Sequence, residues 1–358
     1  DIPRENWPAL ARHFAPLAAG TGLEKLVMRV DIPAEGGGTE KAVLHVEGAS
    51  GQGVTIRVRP AGDRPIRPLT PYRQKVLRAQ RFGVPYPYEL IRMLAPRPGA
   101  QADFPDGKFV EHDLDEDGRT IEVGTRDLGN NTANIVFGLI TNYTETVPEG
   151  MTRVAILGDP TTGLGNLAEP ECRRIIAALD LAEELGVPAE WFAVSSGARI
   201  AMDSGSENMD WISAVLRRII EYTQDGGELN VVVTGINVGA QPYWNAEATM
   251  LLHTKGILVM TPSSAMVLTG KQALDFSGGV SADDNFGIGG YEHIMGVNGQ
   301  GQYWAPTVTA ACKLLLRHYD HAYVVPGERF PRRRDTVDAI DRDVRTAPHH
   351  SVPGSDFT

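Results

Sequence analysis

Cysteine is scarce in this chain, with Cys172 and Cys312 the two examples among 358 residues. Two cysteines so far apart exclude a disulfide framework and a four-cysteine zinc site, and they indicate reduced, buried thiols in a cytoplasmic protein. Positive charge is also in deficit, because 34 Lys and Arg residues face 45 Asp and Glu residues, for a formal net charge of -11. That balance argues against a nucleic-acid partner.

Long hydrophobic runs are missing too, and none approaches the roughly 20 residues of a membrane-spanning helix, so we expect no membrane partner. No secretory signal peptide is visible, and the first residue is Asp1, so we expect a fragment of a longer polypeptide or a processed chain. His, Asp and Glu do not recur at the spacing of metal ligands, which predicts that the chain binds no metal. What remains is a long chain with 42% hydrophobic residues, enough for a large core in two or more structural units.

Strand-like runs fall into two groups along the chain. Three alternating runs separated by Gly and Ser turns predict a small antiparallel sheet over 26–32, 41–46 and 53–58. Beyond residue 134, strand-like runs alternate with amphipathic helices, which predicts βαβ units and a mostly parallel sheet. The strands of this second group are predicted over 135–143, 153–157, 191–194, 230–234 and 257–260, and its helices over 169–185, 211–222 and 305–319. Gly186 is expected to end the first of these helices.

The chain between the two groups predicts two helices and a loop. Residues 72–82 form a basic helical pattern, and a short helix is predicted over 89–94. The stretch 96–119 is polar and rich in Gly, Pro and Asp, which predicts a surface excursion without regular structure.

Three turns of small residues follow strand-like runs, over 158–165, 195–199 and 235–240. Because ligands bind at the carboxyl ends of strands in such sheets, we expect these turns to line one crevice. The middle turn reads Ser195-Ser196-Gly197-Ala198-Arg199, and a stretch that could open a helix follows it. Small residues let a ligand approach the backbone, free N–H groups at a helix start attract anions, and Arg199 adds a cationic fork. The turn therefore predicts a pocket for a phosphorylated ligand, or else a solvated loop whose arginine pairs with a neighbouring acid.

Familiar catalytic and nucleotide motifs do not fit these turns. The glycines of 158–165 have the wrong spacing for a dinucleotide-binding G-x-G-x-x-G, and no G-K-[ST] follows, which favours a simple tight turn. Ser195 and Ser196 lack the G-x-S-x-G context of an esterase nucleophile and an obvious general base. A role for their backbone is therefore favoured over a role for their hydroxyls.

Several segments together resemble a known enzyme family. The run Ser-Ser-Gly-Ala-Arg-Ile at 195–200 resembles the S-G-A-R-I signature of biotin-dependent carboxyltransferases, and 235–240 lies where that family carries its second glycine-rich turn. Ile288-Gly289-Gly290 with Met295 resembles the family's L-G-G-x-x-x-M segment, and Asn298-Gly299 its N-G pair. Residues 70–90 resemble the start of the carboxyltransferase domain of multidomain acetyl-CoA carboxylases. The likeness extends from about residue 68 to 325.

The resemblance implies a crotonase-type ββα superhelix, an α/β fold, preceded by a small antiparallel β segment. It implies that 1–67 end a preceding non-catalytic domain and 68–125 form the first subdomain of the carboxyltransferase. Residues 126–325 would then be the crotonase-like CoA-binding lobe, and 326–358 a linker toward an absent second lobe.

The implied reaction moves a carboxyl group from carboxybiotin to the α-carbon of acetyl-CoA or another acyl-CoA, giving malonyl-CoA or a homologue for fatty acid biosynthesis. Carried over residue by residue, Gly239 and Ala240 would form the oxyanion hole that holds an enolate. Ser195, Ser196, Gly197, Ala198 and Arg199 would bind the acyl-CoA with Gly235, and Arg199 would lie near its phosphates.

The implied cofactor is biotin on a separate domain, since this chain has neither the second lobe nor a Met-Lys-Met biotinylation site. The implied partners are that lobe, a biotin carboxylase, a biotin carboxyl carrier domain and further copies of the chain. The sequence departs from the family where Ala240 replaces a glycine and where Gln241-Pro242-Tyr243-Trp244 follow.

Two alternatives remain open at this point. A crotonase-fold acyl-CoA hydratase or isomerase would need a carboxylate beside the oxyanion turn, for which Glu247 is a lone candidate. A non-catalytic scaffold half that has kept the fold would need none.

Overall fold

The computed structural model describes residues 25–34, 37–49, 53–62, 68–100, 102–250, 254–278 and 282–333, with Asn6, Ala9 and 341–343 in addition. Its strands are β1 (Lys25–Pro33), β2 (Thr39–Ala49), β3 (Gly53–Pro60), β4 (Gly107–Leu114), β5 (Thr120–Glu122), β6 (Ile135–Asn142), β7 (Met151–Gly158), β8 (Ala189–Ser195), β9 (Leu229–Val238), β10 (Leu258–Met260), β11 (Ala265–Val267) and β12 (Tyr303–Trp304). Its helices are α1 (Pro71–Arg81), α2 (Pro87–Leu94), α3 (Glu169–Leu185), α4 (Glu207–Gln224), α5 (Ala240–Ala248), α6 (Lys271–Phe276), α7 (Asn285–Gly289) and α8 (Val308–Ala322), with a π-helical turn over Tyr291–Met295.

The strands β1, β2 and β3 form a three-stranded antiparallel sheet in that order. The chain turns from β1 to β2 at Gly37 and Gly38, whose φ angles of +84° and +90° lie in the region that glycine adopts readily. The small antiparallel sheet expected from the alternating runs is confirmed. The domain boundary expected at residue 67 remains a prediction.

The large sheet is mixed rather than mostly parallel. Its strand order is β12-β10-β9-β8-β7-β6-β4-β5, and β11 pairs with the end of β9. The pairs from β12 to β7 are parallel, and the pairs from β7 to β5 are antiparallel. The antiparallel half was not foreseen because its strand β4 lies within the polar stretch expected to be a surface excursion.

Charged side chains explain why β4 does not look like a strand. Glu111 and Asp113 are buried on it, and Arg126 forms ion pairs with both carboxylates. Arg174 adds an ion pair to Asp113 at 2.7 Å. Burial alone would raise the pKa of Asp113, but the hydrogen bond from Arg126 and the charge of Arg174 hold it below its ordinary value. The prediction of an irregular loop over 96–119 is therefore wrong for its second half.

Helices cover both faces of the large sheet, and alternate residues of each central strand face opposite layers. On β7, Val154 and Ile156 pack into the layer that contains α3, α4 and α5. Ala155 and Leu157 pack into the layer that contains α1, α2 and α8. This period of two produces a three-layer α/β/α arrangement in which both faces of the sheet are buried.

Glycine positions fix how two of the helices meet the sheet. Gly186 ends α3 in the left-handed conformation with φ +62°, as the sequence predicts. Gly289 lets α7 approach β11 so closely that an added Cβ would lie 2.0 Å from the Met266 carbonyl oxygen. The first glycine of the L-G-G-like pair thus serves close helix–strand packing.

The stretch expected to be a linker, 326–358, is attached to the large unit at its start. Arg332 donates to the Thr146 carbonyl at 3.1 Å and pairs with Glu149 and Glu328. Most of the remaining predicted linker lies outside the described residues. Within the described part of the chain, no helix is long and apolar enough to cross a membrane.

Candidate functional site

The carboxyl ends of β7, β8 and β9 lie side by side, because these strands are neighbours in the parallel half of the sheet. The segments that follow β7 and β8 contact each other directly. Ser196 Oγ donates to the Gly163 carbonyl at 2.8 Å, and the Leu167 N–H donates to the Gly197 carbonyl at 2.9 Å. The structure therefore brings the turns 158–165 and 195–199 together, as the sequence predicts.

The two serines of the middle turn make backbone contacts. Ser195 is buried, and its Oγ accepts the Gly197 N–H at 3.0 Å. The Ser196 hydroxyl donates to the Gly163 carbonyl, as described above. Both hydroxyls are hydrogen-bonded to backbone groups, so they shape the turn in this structure.

Two glycines face each other across the crevice. Gly197 has φ +93° and Gly239 has φ +68°, both in the region that side chains disfavour. A Cβ added to Gly239 would lie 3.4 Å from the Gly197 Cα. The missing side chains let the backbone at Gly239 lie close to the backbone at Gly197.

The start of α5 carries backbone hydrogen-bond donors beside these two glycines. Gly239 is its N-cap residue, with φ +68° and ψ -120°. The Gly239 N–H is already taken, because it donates to the Val267 carbonyl at 3.1 Å. The next residues, Ala240 and Gln241, carry N–H groups in the first turn, where helices have no internal acceptors, and Pro242 has no N–H at all. Of the donor pair expected at Gly239 and Ala240, the Gly239 N–H is therefore engaged within the protein, while the role of Ala240 stays a prediction.

Gly235 lies inside a strand rather than in a turn. The expected turn 235–240 is wrong for its first four residues, because β9 continues to Val238. A Cβ on Gly235 would lie 2.6 Å from Val84 Cγ2, so this glycine permits close packing with the segment after α1. The structure gives Gly235 a packing role within β9.

Arg199 is engaged by an acid on its own segment. Its guanidinium donates to both carboxylate oxygens of Asp203 at 3.0 Å, and both side chains are exposed. No helix opens directly after Arg199, since α4 begins at Glu207. The expectation of a helix N-terminus beside Arg199 is therefore wrong, and the alternative of an arginine paired with a neighbouring acid describes this structure.

Two cations on α1 lie near the same end of the strands, and they were not predicted as site residues. Arg78 donates to the Thr161 carbonyl at 3.0 Å, and Lys75 donates to the Gly129 carbonyl at 2.5 Å. Because these acceptors are neutral carbonyls, the two cations add positive charge beside the turn that follows β7. The basic pattern of 72–82 predicts a charged helix, but only the fold shows which loops its cations contact.

Buried amides beneath the crevice were also missed. Asn237, Gln241 and Asn245 are fully buried and hydrogen-bonded to one another. The available signal was the spacing of Gln241 and Asn245, four residues apart and so on one helix face.

Candidate side-chain bases lie away from the donors. Glu247 is near the far end of α5, about 10 Å along the helix axis from Ala240 at 1.5 Å per residue. The two cysteines are buried and free, and burial raises the pKa of the Cys172 thiol to about 12. Burial likewise raises the pKa of Cys312, so neither is a ready thiolate nucleophile. Among the residues that the structure describes, no group of three His, Cys, Asp or Glu side chains could hold a metal ion.

Comparisons with known proteins relate this chain to acyl-CoA carboxylases. No family model matches it. Acetyl-CoA carboxylase of Saccharomyces cerevisiae is 30% identical over 173 residues, an alignment that covers 44% of this chain and 8% of that protein. The beta subunit of P. aeruginosa geranyl-CoA carboxylase has a similar structure, with a TM-score of 0.51 at 15% sequence identity. That likeness covers 69% of this chain and 41% of the beta subunit.

These similarities show the fold. The chain has the mixed α/β fold of an acyl-CoA carboxylase beta subunit, so the expected crotonase-like class with a small antiparallel sheet before it is confirmed. The chain spans less than half the length of either relative.

Proposed function

We propose that this chain is the acyl-CoA-binding part of a biotin-dependent carboxyltransferase. The reaction would transfer a carboxyl group from carboxybiotin to the α-carbon of acetyl-CoA or another acyl-CoA. The observation that carries the proposal is the start of α5, where the N–H of the half-buried Ala240 lies in the first helical turn beside the close approach of Gly197 and Gly239. The partial identity with an acetyl-CoA carboxylase supports the same class of reaction.

The proposed chemistry uses the backbone. Removing an α-proton from a thioester places negative charge on its carbonyl oxygen, and fixed N–H donors stabilise that charge more than they stabilise the neutral substrate. Ala240 is proposed to donate its N–H to this oxygen, and Gly239 to hold the turn that aims it. The segment from Ser196 to Arg199 forms the facing wall and is proposed to bind the CoA moiety.

In this proposal carboxybiotin, delivered by another domain, supplies the carboxyl group and the base that accepts the α-proton. The chain itself then needs no catalytic acid or base. The position of Glu247, near the far end of α5, agrees with this and disfavours a hydratase that protonates substrate from that carboxylate. A second lobe, a biotin carboxylase, a carrier domain and further copies of the chain are the proposed partners.

We expect the isolated chain to bind acyl-CoA without carboxylating it. Binding needs only this crevice, whereas transfer needs the second lobe and a biotinylated domain. Calorimetry with acetyl-CoA should detect binding, and labelled carboxyl groups should reach acetyl-CoA only after both missing parts are added. Transfer by the isolated chain, or no acyl-CoA binding at all, would contradict the proposal.

Arg199→Ala is expected to raise KM for acyl-CoA. A charge-assisted hydrogen bond to a phosphate contributes roughly 1.5–3 kcal/mol, and its loss corresponds to an increase in KM of about 10- to 150-fold. Asp203→Asn should lower KM by at most about fivefold, because the exposed Arg199–Asp203 pair is worth roughly 0.2–1 kcal/mol and competes with the phosphate.

Arg217→Ala is the matched control for this arginine, because Arg217 forms an exposed pair with Glu221 at the same four-residue spacing on α4. Its KM should stay unchanged in the same steady-state assay. If Arg199→Ala also leaves KM unchanged while Arg78→Ala raises it, the phosphates bind at α1 instead.

A further inference from the structure

Three side-chain amides form a continuous chain beneath the crevice. Gln241 Nε2 donates to Asn245 Oδ1 at 2.8 Å, and Asn245 Nδ2 donates to Asn237 Oδ1 at 2.9 Å. Asn237 Nδ2 donates in turn to the Ala193 carbonyl at 3.0 Å. All three amide side chains have 0% relative exposure. The chain therefore runs through the interior from the first turn of α5, across β9, to β8.

The direction of this chain is fixed at one end. The carbonyls of Ala193 and Gly235 can only accept, so Asn237 must turn its Nδ2 toward them, at 3.0 and 3.3 Å. Its Oδ1 must then accept from Asn245, whose Oδ1 must accept from Gln241. Each amide has one usable orientation, which restricts how the first turn of α5 can sit on the sheet.

The far end of the amide chain lies at an irregularity in the sheet. The register between β8 and β9 shifts between Ala193 and Ser195. Such a shift redirects the end of a strand, and here it immediately precedes the turn that contains Gly197. The Ala193 carbonyl also accepts the Thr234 hydroxyl at 3.1 Å. The amide chain thus joins the two walls of the crevice, the turn after β8 and the start of α5.

We infer that Asn237, Asn245 and Gln241 are positioning residues that hold the Ala240 N–H group at a fixed distance from the turn after β8. This inference rests on the proposed function of that N–H group. Apolar side chains could fill the same space without the free-energy cost of burying amides. The role of the amides is therefore to fix the orientation of α5 rather than to fill the core. The terminal Gln241 Oε1 has no hydrogen-bond partner among the described residues, which shows that the chain is not built to maximise satisfied bonds.

Asn245→Leu in the complete carboxylase is the direct test. It breaks the amide chain in the middle, and we expect kcat to fall roughly 100-fold, the effect of a small misplacement of catalytic donors. KM for acyl-CoA should stay close to that of the unmodified enzyme, because the CoA-binding turn keeps its contacts with the segment after β7.

Gln241→Met tests the end of the chain without a large change in stability. In the unmodified protein the buried Gln241 Oε1 lacks a hydrogen-bond donor, and in the variant Asn245 Oδ1 lacks one instead. Because one unsatisfied acceptor replaces another, the unfolding temperature should barely move while kcat falls. Thr249→Val is the matched control, since the buried Thr249 hydroxyl donates to the Asn245 carbonyl at 2.7 Å outside the amide chain. It should lower the unfolding temperature and leave kcat nearly unchanged.

Hydrogen exchange of the isolated chain gives a readout that does not depend on activity. Asn245→Leu and Gln241→Met should speed exchange in α5, and Thr249→Val should not do so to the same extent. If kcat and exchange simply follow lost stability in all three variants, or if Asn245→Leu changes neither, the positioning role is overturned. If the unmodified enzyme transfers no carboxyl group, the proposed function fails, and the exchange comparison still decides whether the amides fix α5.

Discussion

Gly239→Val should lower kcat for carboxyl transfer by roughly 100- to 1000-fold, the loss typical of a displaced oxyanion donor. Gly239 has φ +68° and ψ -120°, a combination that a β-branched residue does not adopt without strain. The new Cβ would touch Gly197 Cα at 3.4 Å, and the methyl groups beyond it would crowd that backbone. We therefore expect the start of α5 to move, and the N–H group of Ala240 to move with it.

Gly186→Val is the matched control for this prediction. Gly186 has a similar φ of +62°, but nothing lies within 4 Å of an added Cβ. It lies between α3 and the start of β8, at the end of the strands opposite to Gly239. Its variant should lose stability, of the order of 1–3 kcal/mol for a strained backbone, and keep kcat in the folded enzyme. Steady-state kinetics and thermal unfolding of both variants separate the two effects. If Glu247→Gln abolished turnover and Gly239→Val did not, a side-chain base in a hydratase-like site would explain the chain better.

Local patterns were sufficient where an element depends on its own residues. Helix α3 has the bounds 169–185 expected from its apolar stripe, and Gly186 ends it. The alternating runs in β1 to β3 and the apolar runs in β7 to β9 also predicted strands. These elements have a strong period and clear end signals, which is the information a single sequence carries best.

Elements that depend on distant partners could not be predicted. The last residues of β9 include Asn237, which has low strand propensity, and they are strand because β11 pairs with 236–238. Similarly, β4 is a strand because Arg126 and Arg174 neutralise its buried acids. In both cases a contact with residues farther along the chain overrides the local pattern.

The candidate site shows the same division. Its turns and Gly239 were identified from small residues after strands, because a tight backbone approach needs glycine whatever the partner is. The occupied Gly239 N–H, the Arg199–Asp203 pair and the buried amides follow from three-dimensional contacts that spacing along the chain does not encode.

The second large effect is expected at the opposite end of the sheet, where Arg153 on β7 and Glu190 on β8 are both about 1% exposed. Arg153 Nε donates to Glu190 Oε2 at 3.1 Å, and its NH1 donates to Asn142 Oδ1 and to the Met151 carbonyl. Its guanidinium also lies 5.3 Å from the centre of the Tyr319 ring. Glu190→Gln removes the countercharge and leaves a buried cation, so the free energy of unfolding should fall by roughly 3–5 kcal/mol.

The double variant Arg153→Met with Glu190→Leu tests whether that loss comes from an uncompensated charge. Replacing both members of a buried ion pair by apolar side chains of similar volume is often neutral or stabilising, so the double variant should be more stable than Glu190→Gln alone in urea titrations. Its kcat should be preserved, since Glu190 lies about 16 Å along β8 from Ser195, at 3.3 Å per residue. A double variant as unstable as Glu190→Gln would mean that the hydrogen bonds from Arg153 to Asn142 and Met151 matter more than its charge. In that case Arg153 would stabilise the protein mainly through hydrogen bonds that join β6 to β7, and its ion pair with Glu190 would matter less.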